Sequence, residues 1–210
     1  MITDLLRAAT APHVAIRMSV PQSSSQVVSP TQSVVVPIPT FDAVYAEHFP
    51  FVWRNLRRLG VAEQGLRDAA QDVFLVVHRR LPEFEGRGST RSWLYSIARR
   101  VAADHRRRHR RKDSLDPTEA DQVADPHEAG PEVRAQRGEA LRLLLDLLAG
   151  LDEERRDVLI LMDLEGMSAS EAAAALGANV NTVYSRLRAA RQFLQAGLAR
   201  HRAAQGGDHG

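Results

Sequence analysis

"SASEAAAALGANVNTVYSRLRAAR", Ser168 to Arg191, decides the fold. Ser168 followed three residues later by Glu171 is a capping-box pattern: the hydroxyl accepts the third backbone N–H while the carboxylate reaches back to the cap. A helix is therefore expected from about Ala169. Glu171 to Leu176 is alanine-rich, and Gly177 supplies the left-handed residue that closes a helix after about two turns. Asn179 can cap a second helix, whose apolar positions Val183, Leu187, Ala190 and Leu194 recur at three- and four-residue steps. Its other face carries Asn181, Thr182, Ser185 and Arg188, side chains suited to base edges and phosphates. Such a pair reads as a helix-turn-helix whose second helix enters a major groove, against the plainer reading of a helical hairpin with a solvated face.

Outward from that pair, the composition favours small helical bundles. Of 210 residues, 44% are apolar but only 5% aromatic, which suits two small all-α domains better than one large sheet. Cysteine is absent, which removes disulfides, thiolate metal sites and cysteine nucleophiles. No apolar run reaches membrane-spanning length, and the N-terminus lacks the pattern of a secretory signal, so a cytoplasmic protein without membrane insertion is expected.

The net charge of +2 hides a segregation. Ten basic residues and one acid, Asp104, lie between Arg87 and Lys112; seven acids and no Lys or Arg lie between Asp113 and Glu132. The first block suits a polyanion, the second a solvated tether. The expected organisation is a disordered Pro-, Ser- and Val-rich extension over 1–39, a helical domain over 40–112, a flexible acidic linker over 113–134, a second helical domain over 135–200, and a disordered tail over 201–210. Within the first domain a helix opens at Thr40, is expected to kink or restart at Pro50, and ends at Gly60. A second, about Ala62 to Leu81, buries Leu66, Ala70, Val73, Phe74 and Val77 and exposes Asp68, Gln71, Asp72 and Arg79. A third, from Ser89 or Thr90, turns Trp93, Leu94, Ile97 and Val101 inward and places Tyr95 outside. Arg99, Arg100, Arg106, Arg107 and Arg110 project from it, with Phe84 in the loop before. Arginines fork onto phosphates and aromatics stack on unpaired bases, so this face suits opened single-stranded DNA. His105 and His109 share the spacing of a zinc pair, but the arginines between them would repel a dication, and no metal, cofactor or catalytic residue is expected.

In this order, "LRDAAQDVFLVVHRRL", "RSWLYSIARRVAADHRRRHRR" and "LLAGLDEERRDVLILMDLEGMSASEAAAALGANVNTVYSRLRAAR" resemble the extracytoplasmic-function (ECF) sigma factors of bacteria, over about Phe41 to Leu198. The resemblance implies a non-enzymatic subunit that binds core RNA polymerase and promoter DNA, and an anti-sigma protein as a further partner. It implies that Asp68, Gln71, Asp72 and Leu75 dock on the polymerase. It implies that Phe84, Arg87, Ser89, Thr90, Arg91, Arg99, Arg100, Arg106 and Arg107 meet the minus-ten element, a flipped base included. Ser168, Asn179, Asn181, Thr182, Tyr184, Ser185, Arg186 and Arg188 would then meet the minus-thirty-five duplex. Arg100, Asn181 and Tyr184 depart from the residues common in the family, so a promoter sequence does not carry over. The alternatives are a helix-turn-helix regulator acting without sigma activity and, more remotely, a metal-dependent nucleic-acid hydrolase.

Overall fold

The computed structural model describes residues 40–84, 86, 88–113 and 131–206, which form two helical units with no strand among them. The expected extension over 1–39, most of the acidic linker (residues 114–130) and Arg87 lie outside the described residues.

The first unit contains α1 (Phe41–Arg58), α2 (Leu66–Arg80) and α3 (Thr90–Asp113). Thr40 caps α1 by accepting the Ala43 N–H at 3.3 Å. Pro50 does not restart α1, the second of the two expected outcomes: the helix is continuous over 18 residues. Pro50 and Ala46, the two ends of the hydrogen bond that proline forfeits, both lie on the exposed side, open to solvent. Gly60 (φ 82°) then turns the chain left-handed, and the Val61 N–H closes back on the Leu56 carbonyl at 3.1 Å. Val52 and Leu56 of α1, Leu66 and Val73 of α2, and Leu94 of α3 meet in the core with no residual exposure. Each such side chain contributes about 1.5–3 kcal/mol of transfer free energy.

The second unit contains α4 (Pro131–Ala149), α5 (Glu153–Leu159), α6 (Ala169–Leu176) and α7 (Val180–Gly206). α4, expected over Leu141 to Leu148 in a unit beginning near Ala135, opens already at Pro131, because proline suits a first helical position where its missing N–H costs nothing. α7 runs on to Gly206, through what was expected to be a disordered tail from residue 201; Arg200, Arg202, Ala203, Ala204 and Gln205 are good helix formers. Asp152 caps α5 through the Arg155 N–H (2.9 Å), and Arg156 bonds the carbonyls of Leu148 (2.8 Å) and Leu151 (2.7 Å) at and just past the end of α4.

α5 passes directly into a π-helical turn, Ile160–Leu164. The turn closes with the Glu165 N–H on the Ile160 carbonyl (2.9 Å) and the Met167 N–H on Leu161 (2.9 Å), around Gly166 at φ 67°. The capping box of α6 forms as expected, with Ser168 Oγ accepting the Glu171 N–H (3.2 Å) and Glu171 Oε2 accepting the Ser168 N–H (2.9 Å). Gly177 closes α6 at φ 61°.

Candidate nucleic-acid and polymerase interface

α7 is seated by its apolar stripe, Val183, Leu187, Ala190 and Leu194, all buried. That fixes what its other face presents. Asn181, Ser185 and Arg188 are exposed, Thr182 is half-buried, and Tyr184 stands out at 55% exposure. Asn179 is engaged at the helix start, its Oδ1 accepting the Asn181 N–H at 2.8 Å. Ser168 is likewise spent on the capping box, and Arg186 pairs with Glu154 at 2.5 Å. A bidentate pair, Arg191 with Asp163 (2.9 and 2.6 Å), ties α7 to the end of the π turn.

The arginine face of α3 differs. Tyr95, expected outside, is fully buried, and its hydroxyl donates to the Asp157 carboxylate at 3.0 Å. The reason is the second unit: α6 packs on α3, and Asp157 and Glu153 of α5 reach this side of it. Arg99 bonds Asp157 Oδ2, Arg106 bonds Glu153 Oε1 (2.5 Å) and the Leu59 carbonyl, and Arg107 pairs with Asp104 along the helix. Arg91 bonds Glu165 Oε2, and Ser92 Oγ donates to the Glu171 carbonyl at 3.2 Å. Arg100 remains exposed. Ser89 accepts the Ser92 N–H at 3.1 Å in the manner of a helix cap, directly before Thr90, the first residue of α3. Phe84 is half-buried with its ring 4.7 Å from that of Trp93.

Glu165 is the centre of the contact between units. Its side chain is 1% exposed. Arg54 bonds it bidentately (Nε to Oε1 and Nη2 to Oε2, both 2.9 Å), Arg58 and Arg91 bond one oxygen each, and Asn55 Nδ2 adds a bond at 3.2 Å. Burial pushes this carboxyl up, but the hydrogen bonds from Arg54 and the charges of Arg58, Arg54 and Arg91 outweigh it and hold it below the usual glutamate range. Asp157 goes the other way. Its burial exceeds the opposing pull of Arg99 and the Tyr95 hydroxyl, so its carboxyl is raised. Burial and then the nearby Asp157 lift the Tyr95 phenol well above its ordinary value.

On α2, Asp68 and Gln71 are exposed and Leu75 is 47% exposed. Asp72 is partly engaged, 2.9 Å from His105 Nε2 and 3.8 Å from Arg108. Tyr45 of α1, 43% exposed and with its ring 4.7 Å from that of Phe74, adds an apolar element that the sequence reading did not single out. Among the described residues, no group of three or more His, Asp or Glu is placed to hold a metal ion.

Two family models match these units: Sigma-70 region 2 over residues 44–112 and Sigma-70 region 4 over residues 141–194. The ECF sigma factor SigC of Mycobacterium tuberculosis is 34% identical over 148 residues, 69% of this chain and 76% of its own. The chain belongs to the ECF sigma factors. CnrH of Cupriavidus metallidurans, an RNA polymerase sigma factor, is 31% identical over 163 residues, 74% of this chain and 85% of its own. A solved structure of CnrH in complex with the cytosolic domain of CnrY superposes with a TM-score of 0.58 at 28% identity, covering 76% of this chain and 88% of that one.

In this sigma factor the structure therefore brings Arg91, Arg99 and Arg106 together on one face of α3, but against carboxylates of its own region-four unit. Arg54, Arg58, Asp157 and Glu165 escaped the sequence reading. A signal existed: Phe51, Asn55 and Arg58 share one buried face of α1, and Asp157 of α5 lines up with buried Leu161 and Leu164 of the π turn. A charge on such a stripe calls for a buried partner.

Proposed function

We propose that this chain joins core RNA polymerase as its promoter-specificity subunit, docks through Asp68, Gln71, Asp72 and Leu75, and reads promoters with both units. The observation that carries this is one chain holding both a region-two bundle and a region-four helix-turn-helix. Asn181, Tyr184, Ser185 and Arg188 lie on the exposed face of α7 and would read the minus-thirty-five duplex, with Thr182 at its edge and Ser168, Asn179 and Arg186 setting its ends. Phe84, Arg87, Ser89, Thr90, Arg91, Arg99, Arg100, Arg106 and Arg107 would meet the minus-ten strand, arginines on phosphates and an aromatic beside an unstacked base. The subunit works in the cytoplasm, performs no catalysis of its own and moves the start site by binding alone. By analogy with CnrH held by the cytosolic domain of CnrY, an anti-sigma protein restrains it.

Run-off transcription with core polymerase and a library of genomic promoter fragments tests this. Start sites that appear only with the protein are expected. Tight duplex binding without transcripts would leave a helix-turn-helix regulator instead. The docking face is tested by Asp68→Arg with Asp72→Arg: weaker binding to core polymerase with an unchanged circular dichroism spectrum is expected, and unchanged affinity would move the docking face elsewhere.

A further inference from the structure

On α2, Asp68, Gln71 and Leu75 are exposed, while Asp72 among them is half-buried. Two side chains of α3 account for the difference. His105 Nε2 lies 2.9 Å from Asp72 Oδ2, and Arg108 approaches the same oxygen at 3.8 Å. His105 and Arg108 stand three residues apart on α3 and so share a side. These two members of the basic run turn toward α2. A carboxylate only accepts, so Nε2 carries a hydrogen and donates it to Oδ2 whether or not the ring is protonated. Arg108, at its longer distance, adds charge without a hydrogen bond. Both partners take Oδ2, which leaves Oδ1 for a cation arriving from outside.

The two ends of the pair are set differently. The His105 side chain is 13% exposed and that of Asp72 43%, so the imidazole is the anchored member and the carboxylate the one it steadies. Gly65, the last residue of the short turn that leads into α2, backs the ring: a Cβ at that position would stand 3.7 Å from His105 Nδ1. The ring is thus wedged between α3 and the entry to α2. A surface aspartate ordinarily samples several rotamers and gives up that freedom when a partner takes it. One already held in place gives up less.

We infer that His105 is a positioning residue for polymerase docking: it holds Asp72 so that Oδ1 is presented to a basic group of the core enzyme. The inference rests on the reading of α2 as the docking face. His105 acts through Asp72 alone.

The test measures the affinity of the full chain for core RNA polymerase, by competition against wild-type chain labelled with fluorescein at its amino terminus. His105→Leu keeps the bulk and removes the donor. It should weaken binding about three- to tenfold, the effect of one more side chain to immobilise on binding. His105→Gln, whose amide N–H reaches as far as the imidazole Nε2, should restore most of the affinity. In an Asp72→Ala background, His105→Leu should cause no further loss, because the carboxylate it acts through is gone.

An ion pair that merely pins α3 to α2 predicts otherwise: the same loss in both backgrounds and no rescue by glutamine. Either of those results, or unchanged or tighter binding by His105→Leu, overturns the proposal. If circular dichroism shows His105→Leu unfolded, His105→Asn decides in its place. It is polar but too short to reach Oδ2, and the same loss is expected. Asp72→Ala by itself separates the two ways of failing. Unchanged affinity there removes Asp72 from the docking face and His105 with it, whereas a loss there with none in His105→Leu keeps the docking face and removes His105 alone.

Discussion

α3 and α7 both carry arginines on a polar face, yet the two faces stand in opposite states. On α7, Asn181, Tyr184, Ser185 and Arg188 are exposed. On α3, Arg91, Arg99 and Arg106 are bound to carboxylates of the other unit. The difference lies in what lies opposite, because an arginine row specifies an anion and leaves open whether that anion is a phosphate or the chain's own Asp and Glu. One face is open as it stands; the other is covered.

The comparison breaks most visibly from beneath the open face. Leu187→Ala removes a buried anchor of α7 and should cost about 2–5 kcal/mol of stability, lowering the unfolding midpoint in urea and duplex binding together. A midpoint that stays put would mean that the recognition face is not held by that stripe. Tyr95→Phe acts on the closed face instead. It strips a hydroxyl from the buried Asp157 carboxylate and should weaken the contact between units by about 1–3 kcal/mol. Scattering should then report a larger mean radius while duplex binding by α7 is kept.

Arg188→Ala should cost about 1–3 kcal/mol of minus-thirty-five discrimination if its guanidinium forks onto a base, read by competition between duplexes, with no change in scattering radius. Ser168→Ala, at the cap of α6, should lower the thermal midpoint by an amount equivalent to about 1 kcal/mol. Acid sharpens the same contrast. The Glu165 carboxyl titrates below its ordinary value in the folded chain, so its contribution to closure is complete above the ordinary glutamate range and is lost as pH falls through the depressed one. Scattering should show closure held from neutral pH down through that range and opening only below it; opening already near neutral pH would contradict the ion-pair cluster.

The local chemistry of the chain made the helices legible. Thr40, Asp152 and Ser168 cap where capping residues should, and Gly60 and Gly177 turn the chain where only a left-handed residue fits. The apolar periodicity of α2 and α7 named their buried sides correctly. The contact between units was not legible, because Glu165 meets partners 111, 107 and 74 residues away and no local pattern encodes that. Tyr95 was misplaced for the same reason: with α3 alone in view its side of the helix looks free, and only Asp157 gives the hydroxyl a reason to be buried. Pro50 does not restart its helix, and the hydrogen bond it forfeits falls on the exposed side, where water can replace it.

The π turn at Ile160–Leu164 has a consequence for how this subunit tolerates change. Relative to an α-helix it holds one additional residue, and at 3.6 residues per turn that residue rotates everything after it by about 100°. Glu165 is the first residue past it. Deleting a single residue within 160–164 would return the helix to regular phase and swing Glu165 away from Arg54, Arg58 and Arg91, with no charge altered anywhere. The recognition helix would keep its aim, because α7 packs directly on α5, ahead of the turn.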